Sequence, residues 1–475
     1  MRTMLNILSP DEMEKIHQAS LKILQKTGIR VHSEKTRKQL ARHGAVLEGD
    51  LVRLPEKLVL DAIEAAPDQV LLAGRSPEHD IVVPGTDFPQ PALSGYSTVV
   101  DDWRTGESRN STAKDLKEFA TIADYLDTVT FFWPIVLPTE VPEIYDEVLA
   151  LAIAFENTSK HVQCSCSSES AARWQVEMGR ALAGGSEELR KRPVFSALGS
   201  PVSPLTFEMH TVEALMVLAE AGVPVVPMNM ALASTTAPAT IAGVLALVNA
   251  EQLATLTIIN SVRPGSPMIY STDSPPASVV TGQLNYKAPE YKIISAGCAQ
   301  MARHYKLPST VAHGTTVGIA DSQDRFEKDV LNVAIHMMSR TDMTTWFGGC
   351  NDGLSASQTQ MLYDAEVFEH ACAYLRTYSV DDETLATDVI DVVGPGGHFL
   401  SEMHTVRHFK KELWLQDHTV PIILDPGDES FTRKAENKAQ EILASHTPLP
   451  LEDNKKEEIA GILEQARQDL KITID

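Results

Sequence analysis

The chain has 475 residues, long enough for up to about three domains or for one large α/β barrel with additions. Asp and Glu number 64 against 41 Lys and Arg, so the net charge is −23, which disfavours nucleic acid and anionic membranes as partners because a phosphate surface needs a basic face. Hydrophobic residues make up 43% and charged ones 22%, an ordinary globular composition with enough apolar surface for a large core.

The opening segment, up to the acidic residues from Asp11, holds no apolar stretch of signal length. The longest apolar run, Val223–Leu232, is strand length, so no membrane span is expected. Cys164, Cys166, Cys298, Cys350 and Cys372 are odd in number and scattered, which reads as reduced thiols in a cytoplasmic protein.

Residues 1–91 are expected to form an α+β cap. Ser9-Pro10-Asp11-Glu12 is a helix start, with Ser as N-cap, Pro in the first turn and Glu three residues after the Ser. Ile16, Leu21, Ile23 and Leu24 make an apolar stripe that Gly28 stops. A second helix is predicted over Glu34–His43, a strand and a helix within Leu51–Ala66, and short strands near Val70–Ala73 and Asp80–Val83.

From residue 92 to about 380 a short apolar run is repeatedly followed by an amphipathic helix. The predicted strands are Ala92–Val100, Val129–Leu137, His161–Ser165, Val194–Leu198, Val223–Met230, Pro267–Thr272, Ser309–His313 and Thr344–Phe347. Helices are predicted to start near Ala113, Pro142, Glu169, Thr206, Pro238, Pro289, Ser322 and Ser355. Strands alternating with helices imply parallel pairing through right-handed crossovers, and eight such units imply a (β/α)8 TIM barrel. No Gly-x-Gly-x-x-Gly follows an early strand, which weakens a dinucleotide-binding open sheet. Residues 381–475 are expected to be a helical extension, with the tight loop Val393–Phe399, a His-rich helix over Phe399–Gln416, and charged helices over Arg433–Ser445 and Lys455–Lys471. These amphipathic helices suit a homo-oligomer.

In such barrels chemistry sits at the carboxyl ends of the strands. Those ends here carry Tyr96, Trp133, Tyr270, Asp273, His313 and Trp346. Aromatic faces from several strands can bind a quaternary ammonium by cation–π attraction, with Asp273 as counter-charge. Each ring alone is as readily a core residue, and Asp273 as readily a loop cap. No His-Glu-x-x-His or carboxylate dyad is evident, and Cys164-x-Cys166 lacks a second pair at zinc spacing, so no bound metal is expected. His404-x-x-x-His408 puts two imidazoles on one helix face and leaves a metal-dependent barrel hydrolase as the rival reading.

Several stretches taken together resemble the trimethylamine methyltransferase family of corrinoid-dependent methyltransferases over nearly the whole chain. They are Ile16–Leu24 with Thr27-Gly28, Val100–Glu107 with Thr112–Leu116, Pro238–Leu253, Asp321-x-Gln323-x-x-x-Glu327, and Gly394–Leu400 with His404-Thr405 and His408-Phe409. The resemblance implies a (β/α)8 barrel that moves a methyl group from a methylated amine to cob(I)alamin held on a separate corrinoid protein. Some members insert pyrrolysine at the barrel top, in a column expected in or near Thr315–Ala320. Here that segment reads Thr-Thr-Val-Gly-Ile-Ala, which directs the expectation away from trimethylamine and towards a quaternary amine. Glycine betaine is the expected donor, with proline betaine, carnitine and trimethylamine as alternatives. A betaine also carries a carboxylate, for which Arg104, His313, His398 and Arg407 are candidates.

Overall fold

The computed structural model describes residues 4–85, 87–311, 318–413 and 430–472. The first helix, Pro10–Lys22, begins with the expected capping box: the Ser9 hydroxyl accepts from the Glu12 amide while Glu12 reaches back to the Ser9 amide at 2.8 Å. Its buried face carries Ser20, whose hydroxyl accepts from Asn249 Nδ2 at 2.9 Å. Strand Ile29–Val31 pairs antiparallel with Leu51–Arg53 and parallel with Thr206–Phe207, so the N-terminal segment is stitched to the middle of the chain.

From residue 90 onward strands and helices alternate as expected. The strands are β1 (Gln90–Leu93), β2 (Phe131–Phe132), β3 (His161–Ser165), β4 (Phe195–Leu198), β5 (Val225–Val226), β6 (Tyr270–Ser271), β7 (Ser309–Thr310) and β8 (Met343–Phe347). The helices that follow them are α1 (Ala113–Tyr125), α2 (Tyr145–Asn157), α3 (Glu169–Ala183), α4 (Met209–Ala221), α5 (Ile241–Val262), α6 (Pro289–His304), α7 (Gln323–Met337) and α8 (Gln358–Leu375).

The fold is mixed α/β, and all pairing among these eight strands is parallel. The sheet β2-β3-β4-β5 has four strands, β6 pairs with β7, and β8 pairs with β1. Isolated backbone bonds bridge the gaps: Thr130 N donates to Pro91 O at 2.9 Å, Val225 N to Pro267 O at 3.0 Å and Ile269 N to Val225 O at 2.9 Å, and Asp342 N to Ser309 O at 3.0 Å. The sequence predicts one ring of eight strands, whereas the hydrogen-bonded ladders fall into separate sheets. Proline supplies the reason. Pro134, Pro224, Pro227, Pro267 and Pro308 flank the shortest strands and lack the amide that would extend each ladder.

Two further corrections concern boundaries. The predicted strand Ala92–Val100 breaks at Ser94-Gly95, and Val99–Asp102 forms its own antiparallel hairpin with Glu107–Asn110. Helices α2, α4, α5 and α8 each start three residues after the predicted position, because the preceding residues serve the loops instead. Thr206–Phe207, for example, pairs with Arg30–Val31.

Side chains alternate in direction along each strand. Ala92, Phe131, Trp133, Leu198, Val226, Ile269 and Met343 gather in one inner cluster, closed at one end by the hairpin Val70–Leu72 and Ile81–Val83. Their neighbours Leu93, Phe132, Ala197, Val225 and Tyr270 pack outward against the helices in the larger cluster. Helix α5 is central to that outer layer: every residue from Val244 to Ser261 is buried. It is long and apolar enough to cross a membrane, which the sequence reading did not register, and 78% of its most apolar window is covered by protein.

Helix Phe431–Ser445 packs on α1 and α8, and Asp453–Asp469 on α2 and α3. The first is tied down by Asp124 on α1, which accepts from the Ser159 amide at 2.7 Å and lies 2.9 Å from His446 Nε2. Burial opposes ionisation of Asp124, but the bonds from Ser159, His446 and Thr158 outweigh it and hold its carboxyl below the usual value. A depressed carboxylate contributes stability that is present above its unfolded pKa, near 3.9, and is lost as pH falls through the folded value. Asp124→Asn is therefore expected to cost about 1–3 kcal/mol at neutral pH. In urea unfolding the gap from wild type should close as pH is taken below about 4.

Candidate functional site

The carboxyl ends of the strands open into a cavity of about 560 Å³, within the range of small-molecule sites. Ser94, Gly95 and Tyr96 reach it from β1, Trp133 from β2, and Ser165–Ser167 from the end of β3. Leu198–Ser200 follow from β4, Met228 and Met230 from β5, Asp273 from β6, and Thr345 and Trp346 from β8. Leu284 and Tyr286 come from the β6–α6 loop, and Asp352 and Gly353 from the turn after β8. No Lys, Arg or His lines it among the described residues.

Local geometry explains the aromatic positions. Tyr96 and Trp133 meet edge to face, centroids 5.6 Å apart, across a Gly95-Tyr96 cis peptide. Gly95 is required there, since a Cβ would collide with the Trp133 indole. Trp346 would face the helices by strict alternation. A register shift between Thr345 and Phe347 re-aims it, so that both Thr345 and Trp346 line the cavity while Phe347 packs on Phe368. The indole nitrogens of Trp133 and Trp346 and the hydroxyl of Tyr96 are shielded from solvent, the hydroxyl lying against Trp133 and Ser165. What these rings offer to the cavity is therefore carbon. A surface of ring carbon with no exposed donor suits an onium group.

Across the cavity stands Asp273. Its Oδ1 accepts from the Tyr291 hydroxyl and its Oδ2 from the Tyr286 hydroxyl, both at 2.9 Å, and the two tyrosines pack edge to face. Burial and the facing carboxylate hold the Tyr286 phenol far above its ordinary value, so it stays a donor. Behind the Ser165–Ser167 wall, Glu147 of α2 accepts from the Ser167 amide at 2.9 Å and its hydroxyl at 3.0 Å, and burial raises its carboxyl. Burial also drives Cys164 and Cys166 well up and Cys350 to about 12, so all three remain thiols at neutral pH.

Of the residues singled out from sequence, Tyr96, Trp133, Asp273 and Trp346 converge on this cavity. Tyr270 does not: it occupies an outward position of β6, and its hydroxyl donates to Asn249 on α5 at 3.3 Å. His398 is exposed in the loop before helix Met403–Glu412, far along the chain from any lining residue. His313 and the first three residues of Thr315–Ala320 lie outside the described residues. Arg104 pairs with Glu118 at 3.1 Å and lies over the Trp103 ring, and Arg407 is exposed. The rings of His404 and His408 stack at 4.3 Å beside Glu383, and no group of three metal-binding side chains assembles among the described residues. Tyr286, Tyr291 and Glu147 were missed. Tyr286 belongs to the long β6–α6 connection, Tyr291 to the first turn of α6 and Glu147 to α2, and sequence reasoning looked only at strand ends.

Residues 1–470 match the family described as trimethylamine methyltransferase. The chain is 30% identical to the trimethylamine methyltransferase of Desulfitobacterium hafniense (strain DSM 10664 / DCB-2), covering 97% of this chain and 94% of that one. It is 29% identical to the glycine betaine methyltransferase of Desulfitobacterium hafniense (strain Y51), covering 94% of each. The crystal structure of the Methanosarcina barkeri monomethylamine methyltransferase superimposes with a TM-score of 0.52 at 12% identity, over 98% of this chain and 87% of that chain, a likeness of fold. The chain belongs to the trimethylamine methyltransferase family and is a methyltransferase.

If Asp273 is the counter-charge of the cavity, Asp273→Asn should weaken binding of tetramethylammonium about 5–30-fold in calorimetry, the weight of 1–2 kcal/mol. Tyr286→Phe keeps the charge and should cost much less. Equal losses in the two variants would assign the effect to loop packing.

Proposed function

We propose, from membership of that family, that this protein demethylates a quaternary amine, glycine betaine foremost, and hands the methyl group to cob(I)alamin on a separate corrinoid protein in the cytoplasm. We also read the eight parallel strands as a (β/α)8 barrel, with residues 1–91 capping its amino ends and 381–475 as an extension. The single observation that carries the substrate reading is the cavity lining: the rings of Tyr96, Trp133 and Trp346 stand with two carboxylates, Asp273 and Asp352, and no Lys, Arg or His among the described residues.

A quaternary nitrogen already bears its charge and leaves as a neutral tertiary amine. No acid is needed at the leaving nitrogen, in keeping with a lining that has no Lys, Arg or His among the described residues. The acceptor supplies a nucleophilic cobalt centre. The chain's own residues do the rest. Asp273, fixed by Tyr286 and Tyr291, draws the cation to one side, and the rings hold its methyl groups so that one N–CH3 bond points to the mouth. Orientation of this kind is worth effective molarities on the order of 10^5 M or more. The positive charge disappears as the bond breaks, so a cage that gripped the ammonium with several carboxylates would stabilise the ground state instead. Here Asp273 is engaged by two phenols, which draws down its charge, and Asp352 is the one other carboxylate of the described lining.

A separate acceptor protein also needs a face to meet. The two loops that line the cavity carry Val279, Val280 and Leu354, which are 79%, 89% and 75% exposed.

The test is methyl transfer to cob(I)alamin from glycine betaine, proline betaine, carnitine, choline and trimethylamine. At least one quaternary amine should alkylate the cobalt, and failure of all of them overturns the reading. Trp133→Leu and Trp346→Leu keep apolar bulk but remove the ring. Each should lower kcat/KM about 5–30-fold, the loss of about 1–2 kcal/mol of cation–π attraction; both rings are buried, so each should also lower the thermal midpoint, and circular dichroism below that midpoint shows that the protein assayed is folded.

A further inference from the structure

Residues 376–413 contain no buried side chain. They nevertheless form defined structure. Helices Asp382–Leu385, Thr387–Val393 and Met403–Glu412 follow one another, with a capping box at Asp381 and Thr384. The Thr405 hydroxyl donates to Phe399 O at 2.7 Å, and His404 Nε2 lies 3.1 Å from Glu383 O. The two ends of the segment meet, since Arg376 Nη2 donates to Glu412 O at 2.8 Å. It is a lobe that leaves the body after α8 and returns to the same place.

Its apolar side chains point outward. Ile390, Val392, Leu400, Met403, Val406 and Leu413 are 54–84% exposed within one stretch. Ordering a segment costs backbone entropy, and a lobe with no fully buried side chain recovers little of it from its own contacts. Contiguous exposed apolar surface of this extent marks an interface.

The charge pattern says what covers it. Residues 381–402 hold Asp381, Asp382, Glu383, Asp388, Asp391 and Glu402 and no Lys or Arg. Residues 403–411 hold Arg407, Lys410 and Lys411 and no acid. A lobe with one acidic and one basic half is complementary to itself when turned through a two-fold axis, the requirement of an isologous contact. Its length exceeds the roughly 20–30 residues a side of a standard stable interface. We propose that the lobe 376–413 is a homodimerisation surface, in which the acidic half of one copy meets the basic half of the other around a shared apolar seam.

The test uses the full chain in sedimentation velocity at 1–100 µM, on the order of typical association constants. Wild type should sediment as a dimer. Arg407→Glu/Lys410→Glu/Lys411→Glu (basic half reversed) and Asp388→Lys/Asp391→Lys/Glu402→Lys (acidic half reversed) should each be monomeric alone. An equimolar mixture of the two should recover the dimer, because each then supplies what the other lacks. Unchanged circular dichroism would show that the variants remain folded, as expected for positions that touch no core. A monomeric wild type, or a dimer indifferent to both reversals, overturns the proposal. So does a mixture that fails to associate, which would assign the surface to a different partner or to another segment of the chain.

Discussion

Helix α5 is apolar enough to be buried on every side, yet it carries Asn249, Glu251 and Gln252 in the middle of that burial. A buried polar group must be bonded or it costs several kcal/mol, so each of these side chains dictates where a neighbour stands. Glu251 accepts from the Ser203 hydroxyl and the Leu205 amide, each at 2.8 Å, and from Asn229, which fixes the loop after β4 and the end of β5. Gln252 donates to Pro227 O at 2.7 Å and accepts from the Ser271 amide at 3.2 Å, which fixes β5 against β6. Asn249 takes Tyr270 and holds Ser20 and Tyr305. These short strands lack long ladders, and the polar row on α5 does for them what backbone pairing does elsewhere. Met228 and Asp273 stand where they do because their strands are pinned from behind.

The cavity built on that frame is asymmetric. Three rings with shielded polar atoms line it, together with Asp273, clamped by two phenols, and Asp352. Such a site is strong in shape and modest in charge. For a reaction in which a cation becomes neutral, that balance matters more than tight binding of the donor.

Much of this was legible from residue order. The strand–helix rhythm from residue 92, the capping box at Ser9, and four of the ring and carboxylate positions follow from periodicity and from where strands end. Tyr270 shows the limit. It opens β6, one position out of phase with Ile269, which faces inward. The two-residue alternation was available, but its origin had to be counted from a neighbour known to be inside. Trp346 errs in the opposite sense, since strict alternation would send it outward and only the bulge brings it in.

By itself the sequence determined the alternation of strands and helices, the excess of acid, and the supply of aromatic residues at strand ends, because these depend on local propensity and spacing. Tertiary structure alone decided which rings share a cavity, that Asp273 is held by Tyr286 from a loop and Tyr291 from α6, and that much of the apolar surface of residues 376–413 stays uncovered. Those facts concern distances between residues far apart in the chain, and a side chain's environment is set by what folds against it.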